Sequence, residues 1–197
     1  METFVPAVPN LSIALLHYPV YNKNREVVAT AVTNLDLHDI ARAARTFGLG
    51  RYFVITPVAE QRSLAERIRA HWTEGYGATY NAKRKAALEI IEIVDSLQAA
   101  LDHLERQFGK PAKVVVTGAR ARENSIDCAG LARLLQDKDQ PYLLLFGTGW
   151  GMTEEVFAGA AYVLGPITGP GAYNHLPVRS AAAIILDRLF GNREIDR

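Results

Sequence analysis

Three glycines alternate at positions 147, 149 and 151, directly after the apolar run Leu143, Leu144, Leu145 and Phe146. Such spacing permits sharp turns and lets main-chain groups approach a ligand with no Cβ in the way. A second glycine-rich stretch follows at residues 165–171 (GPITGPG). Asn174, His175, Leu176, Pro177, Val178 and Arg179 then open a strongly apolar segment. Two buried strands that end in glycine-rich loops beside a helix N-terminus predict a pocket built mainly from backbone. A nucleotide-like cofactor suits such a pocket. Arg179 falls in the first turn of the last helix, where the macrodipole disfavours a cation, so the position invites a phosphate or carboxylate partner.

Other chemistries find less support. The five histidines are scattered without metal-ligand spacing, and neither a Ser-His-Asp set nor a carboxylate pair is evident. Catalysis by positioning is therefore favoured over nucleophilic or metal catalysis. The single cysteine, Cys128, excludes an intramolecular disulfide and reads as a small buried apolar residue. Asn34, Asp36, His38, Asp39, Arg42 and Arg45 form a polar cluster at the first helix. Arg42 and Arg45 share a face. The cluster is a solvated face unless it meets the glycine loops. Tyr80, Asn81, Lys83, Arg84 and Lys85 mix aromatic and cation as nucleic-acid binders do, and read slightly better as a basic helix start.

The GTGWG stretch resembles a dinucleotide fingerprint in its glycine spacing. That motif belongs near the first strand of its fold, with a carboxylate about 20 residues on. Here it begins at residue 147 of 197, and residues 165–169 hold no carboxylate. A plain tight turn is the other simple reading, but it leaves Trp150 among the glycines unexplained.

Positioning these groups requires an alternating scaffold. Residues 11–16 (LSIALL), 51–56 (RYFVIT), 114–117 (VVVT), 143–146 and 160–164 read as buried strands. The polar segment 17–39 precedes a helix at about 40–48, capped by Asn34 or Asp36 and stopped by Gly48. Ser63 and Glu66 match a capping box that opens a helix through Trp72. Residues 86–94 fit helix slightly better than strand, and residues 97–108 form an amphipathic helix ended by Gly109. Helices are further expected at 125–136, 152–158 and from Pro177 to about Phe190. The alternation predicts an α/β fold with a mostly parallel sheet flanked by helices, binding ligand beyond the strand carboxyl ends.

The chain holds 49% hydrophobic and 22% charged residues, an ordinary balance for one domain, and its net charge of +1 carries no global nucleic-acid signature. The middle of the chain is basic: residues 61–122 carry 11 Lys and Arg against 7 Asp and Glu, a local +4. No signal peptide and no run near the roughly 18 apolar residues of a membrane span are visible. The expectation is a soluble, cytoplasmic protein.

The C-terminal motifs FGTGWGMTEEV, YVLGPITG and YNHLPVRSAAAIILDRL resemble the successive motifs of the SPOUT superfamily of S-adenosylmethionine-dependent RNA methyltransferases. The whole chain is similar to a small bacterial SPOUT family of RNA methyltransferases. The match is most specific over the last 55 residues and looser at NLDLHDIARAARTFGLGRYFVI. The resemblance implies one domain over residues 1–197, with a helical insertion at about 60–110 and a deep C-terminal trefoil knot at about 112–191. It implies a homodimer and an RNA substrate, while the scattered histidines carry the expectation of no metal. S-adenosylmethionine would lie on Thr117, Gly118 and Ala119; on Phe146, Gly147, Thr148 and Gly149; and on Leu164, Gly165, Pro166 and Ile167. His175, Leu176 and Val178 would complete its site. Arg42, Arg179 and Asn174 are the implied catalytic residues, and Asn34, Arg45, Asn81 and Arg84 the substrate-binding ones. A knotted but non-catalytic RNA- or protein-binding module and a Rossmann-type nucleotide-binding enzyme are the alternatives.

Overall fold

The computed structural model describes residues 10–191. The chain opens with β1 (Leu11–Leu16), a hairpin of β2 (Val20–Tyr21) and β3 (Val27–Val28), α1 (Asn34–Thr46) and β4 (Tyr52–Ile55). Next come α2 (Ala59–Thr73), α3 (Tyr76–Tyr80), α4 (Ala82–Leu88), β5 (Ile91–Val94), α5 (Leu97–Phe108) and β6 (Lys113–Val116). The remainder is α6 (Cys128–Leu134), β7 (Tyr142–Gly147), α7 (Glu154–Ala158), β8 (Tyr162–Val163) and α8 (Val178–Phe190). The expectation that no leader precedes β1 rests on residues 1–9, outside the described residues.

Six strands form one parallel sheet in the order β5-β4-β1-β7-β6-β8. All six residues of β1 are buried because the sheet is covered on both sides. Ile13, Leu15, Tyr52, Val54, Leu144 and Phe146 face a layer that includes Ile40 of α1, Leu131 of α6 and Ile185 of α8. Ala14, Leu16, Phe53, Ile55, Leu143 and Leu145 face the other way, toward Leu104 of α5, Val156 of α7 and Met152. The strand order reverses at β1 and β7, which opens a crevice beyond their carboxyl ends.

β8 lies at the sheet edge, yet α8 packs against α1, α6 and β7. The connecting segment therefore returns across the end of β6, and Asn174 within it donates from Nδ2 to the Ala119 carbonyl at 2.8 Å. This return of the C-terminal segment past the loop after β6 is the chain path of the α/β-knot class.

Several local expectations need correction. Thr33, not Asn34 or Asp36, caps α1: its hydroxyl accepts the Asp36 N–H at 3.1 Å and donates to the Asp36 carboxylate at 2.7 Å. Asn34 is instead the first helical residue. The Ser63/Glu66 pattern lies inside α2, which starts at Ala59, and Glu66 pairs with Arg69 at 3.0 Å. Residues 86–94 divide between the end of α4 and β5, because Ile91 and Ile93 pair with Tyr52 and Val54 along β4. Cys128 is half-buried at the start of α6, packed against the edge of the core rather than fully enclosed by it. The segment 60–110 carries β5 as well as helices. The segment between β1 and α1, read as merely polar, contains the β2–β3 hairpin. It turns where the Asn22 side-chain oxygen accepts from the backbone N–H groups of Asn24 and Glu26.

Candidate active site: a cleft of three loops

The glycines after β7 are fixed first by the protein's own packing. A Cβ on Gly147 would lie 2.6 Å from Met152 Cγ, and one on Gly149 would lie 2.8 Å from the Tyr21 carbonyl oxygen. Gly149 and Gly151 also adopt φ of +58° and +103°, values that side chains disfavour. Two of the three glycines therefore make room for Met152 and the hairpin, where sequence alone assigns them to ligand approach.

The hairpin is bound to this loop through β2 and through Thr30, just after β3. The Trp150 N–H donates to the Tyr21 carbonyl at 2.9 Å and the Tyr21 N–H to the Gly151 carbonyl at 2.8 Å. The Thr30 and Thr148 hydroxyls are 2.5 Å apart, and Thr148 donates to the Leu16 carbonyl at 3.0 Å. His17 Nδ1 lies 3.1 Å from the Thr30 hydroxyl. With Thr148 donating to Leu16, Thr30 donates to Thr148 and His17 Nδ1–H to Thr30, so each proton has one place. His17 is fully buried, and burial lowers its pKa to about 4 against a smaller opposing pull from Asp36. It is neutral at physiological pH.

The other two loops close on the same crevice. Thr117 is anchored to the Leu145 carbonyl through its N–H (3.0 Å) and hydroxyl (2.8 Å). Leu164 donates to the Val116 carbonyl at 2.9 Å and Gly165 to the Ile126 carbonyl at 2.8 Å. Together with the start of α8 they enclose a cleft of about 820 Å³. Thr117, Gly118, Ala119, Phe146, Gly147, Thr148, Gly149, Gly165, Ile167, His175, Leu176 and Val178 all line it. Leu164 does not, because its side chain is buried in the core; Pro166 is also outside the lining. The N–H groups of Gly118, Ala119, Thr148, Gly149 and Ile167 make no backbone hydrogen bond among the described residues.

Of the residues expected to act, Asn174 and Arg179 line the cleft and Arg42 does not. Arg179 lies 3.6 Å from Asp36 and 3.7 Å from Asp39, so the cation that opposes the helix dipole has anionic partners in α1. Arg42 reaches the same Asp39 at 4.0 Å from an exposed position. Asp36 itself is almost wholly buried and lines the cleft, which places one end of the α1 polar cluster against the glycine loops. The four residues expected to bind substrate are elsewhere. Asn34 borders a small depression with Trp72, and Asn81 caps α4 by accepting the Arg84 N–H at 2.9 Å. The Arg84 guanidinium lies 4.5 Å over the Trp72 ring. Arg45 is half-buried against α4, and its pKa is lowered by burial in spite of the nearby Glu89.

Sequence reasoning missed Arg25, Thr30, Asp36, Arg120, Arg122, Trp150 and Glu154 as lining residues. Arg122 and Glu154 form a bidentate pair at 2.8 Å, which lowers the Glu154 pKa and raises that of Arg122. The available signal was the Asn-rich turn at 22–24 between the Val-containing pairs that become β2 and β3. Among the described residues no helix is long and apolar enough to cross a membrane, and no group of three or more His, Cys, Asp or Glu could hold a metal.

A parallel sheet whose C-terminal segment returns past the loop after β6, with three loops around one cleft, defines a knotted methyltransferase-type α/β protein. The chain belongs to the family of SAM-dependent RNA methyltransferases, whose family model matches residues 10–191. It is 44% identical over 183 residues to a protein of Nitratidesulfovibrio vulgaris named tRNA (guanine-N(1)-)-methyltransferase. That alignment covers 93% of this chain and 42% of the relative, so the chain spans about two fifths of the relative's length. A protein of Aquifex aeolicus is 35% identical over 193 residues, covering 98% of this chain and 94% of that one. Among solved structures, the SpoU methyltransferase AviRb of Streptomyces viridochromogenes in complex with AdoMet superposes with a TM-score of 0.58 at 17% identity. The match covers 98% of this chain and 62% of that one.

Proposed function

We propose that this protein transfers a methyl group from S-adenosylmethionine to a nucleotide of RNA, with tRNA as the substrate class. The observation that carries the reading is the convergence of the loops after β6, β7 and β8 on one cleft lined largely by main chain. The cleft fits the cofactor's parts. Phe146, Ile167, Leu176 and Val178 offer apolar walls for an adenine, and the unpaired backbone N–H groups offer donors for its ring and for a carboxylate. Asp36 and Glu154 are carboxylates of the cleft lining, each paired with an arginine.

When bound, S-adenosylmethionine supplies an electrophilic methyl group on a sulfonium. The chain's own residues orient the acceptor toward it. Arg179, held by Asp36 and Asp39, positions a phosphate or the acceptor's developing negative charge. Asn174 spends its amide N–H on the Ala119 carbonyl, which leaves its oxygen to accept from the acceptor nucleotide. Arg42 acts from outside the cleft, on the RNA side. Asn34 and Arg45 on α1, and Asn81 and Arg84 in the 60–110 insertion, would meet the substrate outside the cleft. The working assembly is a cytoplasmic homodimer of the single domain.

The tRNA assignment rests on the N. vulgaris relative, a longer protein with a unit like this one and a tRNA activity in its name. Calorimetry with S-adenosylmethionine and its demethylated product, followed by labelled methyl transfer to bulk tRNA and rRNA, tests the reading. Binding with transfer to tRNA is the expected result. Failure to bind either compound overturns the cofactor, and RNA binding without transfer turns the protein into a non-catalytic module.

A further inference from the structure

The mouth of the cleft differs from its interior. Inside, Phe146, Gly147 and Thr148 are buried or half-buried; at the rim, Trp150 is 68% exposed and Arg25 and Arg120 are exposed. An indole left in water at a polar rim is costly, and here its backbone is fixed, because the Trp150 N–H is bonded to Tyr21. Arg25 is fixed as well. It sits at the hairpin turn with φ of +66°, and its guanidinium lies 4.0 Å over the Tyr21 ring. Arg120 extends from the loop after β6 on the same rim.

The charge balance separates these cations from their neighbour. Arg122 is neutralised by Glu154 and pressed onto the Phe157 ring at 3.7 Å. Neither Arg25 nor Arg120 has a carboxylate within 4.0 Å among the described residues, although both lower the Glu154 pKa through space. A flat π surface on the same rim as two uncompensated guanidinium groups matches an unstacked base and its flanking phosphates.

We propose that this rim is an RNA-docking site in which Trp150 stacks on a base flanking the methylated nucleotide while Arg25 and Arg120 hold the adjoining phosphates. The proposal rests on the reading that the protein acts on RNA. It commits the 20s hairpin, which lines the same cleft through Arg25 and Thr30, to substrate recognition. It also predicts a preference for single-stranded or loop RNA, where bases can be splayed onto an aromatic ring.

The test uses the full-length protein and a fluorescein-labelled single-stranded RNA of about a dozen nucleotides, followed by anisotropy across a KCl series. Trp150→Ala is expected to weaken binding about tenfold or more. Arg25→Gln with Arg120→Gln is expected to flatten the log–log salt slope by roughly 0.7 for each arginine. RNA is also expected to quench the wild-type tryptophan emission far more than that of Trp150→Phe. With bulk tRNA as methyl acceptor, KM should rise about tenfold with kcat within threefold. Far-ultraviolet circular dichroism and a thermal unfolding midpoint matching wild type show that the variants are folded. Wild-type salt slope and affinity in the variants would overturn the rim even if methyl transfer itself is confirmed. A dimer that falls apart on Trp150→Ala, with RNA affinity unchanged, would also overturn it, assigning the indole to a second copy. Absence of cofactor binding and of methyl transfer in the wild-type protein defeats the function itself, a distinguishable outcome.

Discussion

The hydroxyls of Thr30 and Thr148, 118 residues apart in sequence, meet at 2.5 Å. This contact ties the β2–β3 hairpin to the loop after β7 and, through Thr148, to the end of β1. Thr30→Val or Thr148→Val removes one partner from a half-buried network, at a cost of about 1–2 kcal/mol. Urea unfolding of both single variants and the double variant should give a coupling energy above about 0.5 kcal/mol. Calorimetry should show S-adenosylmethionine affinity falling several-fold for Thr148→Val. Additive effects would mean that the hairpin and the loop do not depend on one another.

His17 makes stability pH-dependent in a defined window. Its pKa is about 6.5 unfolded and about 4 folded, so between these values the unfolded chain binds the extra proton. Stability is therefore complete above pH 6.5 and declines as pH falls toward 4. At about 1.36 kcal/mol per pKa unit, the full loss is about 3 kcal/mol. His38 and His103, whose pKa values are also lowered by burial, add to the decline with the same sign. Denaturant unfolding at a series of pH values should show a visibly shallower decline for His17→Gln than for wild type.

Arg179 sits beside a nearly buried carboxylate, and its loss leaves Asp36 without a cation. Arg179→Ala should cost about 1–3 kcal/mol of stability and lower kcat by about a hundredfold or more. Arg179→Lys keeps the charge but not the fork that reaches both Asp36 and Asp39, so it should recover most of the stability and little of the rate. Equal activity in Arg179→Ala and wild type would remove Arg179 from the reaction.

Gly149→Ala tests whether the glycine spacing serves the hairpin. The new Cβ meets the Tyr21 carbonyl at 2.8 Å in a left-handed backbone, and neither atom can move aside cheaply. A loss of about 2 kcal/mol or more is expected. Hydrogen exchange should show faster exchange at the Tyr21 and Trp150 amides before any change in β1 or β4. Protection equal to wild type at those two amides would leave the glycine to the ligand.

Strands whose residues are buried on both faces leave a continuous apolar run, and that record made β1, β4, β6 and β7 readable. The helix at 97–108 was equally plain, since its apolar face repeats with helical period and Gly109 closes it at φ +68°. Residues 86–94 were ambiguous because Glu92 interrupts the apolar run. Its reason lies across the sheet, where Arg51 bonds it at 2.8 Å. Asn81 and Arg84 looked like an RNA-binding pair because a capping amide and an arginine over a ring carry the same letters as a docking patch.

The sequence alone determined the alternating class and the positions of the glycine loops, and twelve of the fourteen residues that the family resemblance implies for the cofactor line the cleft. Burial and backbone turns are written locally, in runs and spacings a few residues long. Tertiary structure decided what those loops touch: that Gly149 serves Tyr21, that Arg179 finds Asp36, and that the polar hairpin forms one wall of the cleft. Those contacts join segments more than a hundred residues apart, and their geometry follows from strand order and from the return of the chain past β6, which no local pattern encodes.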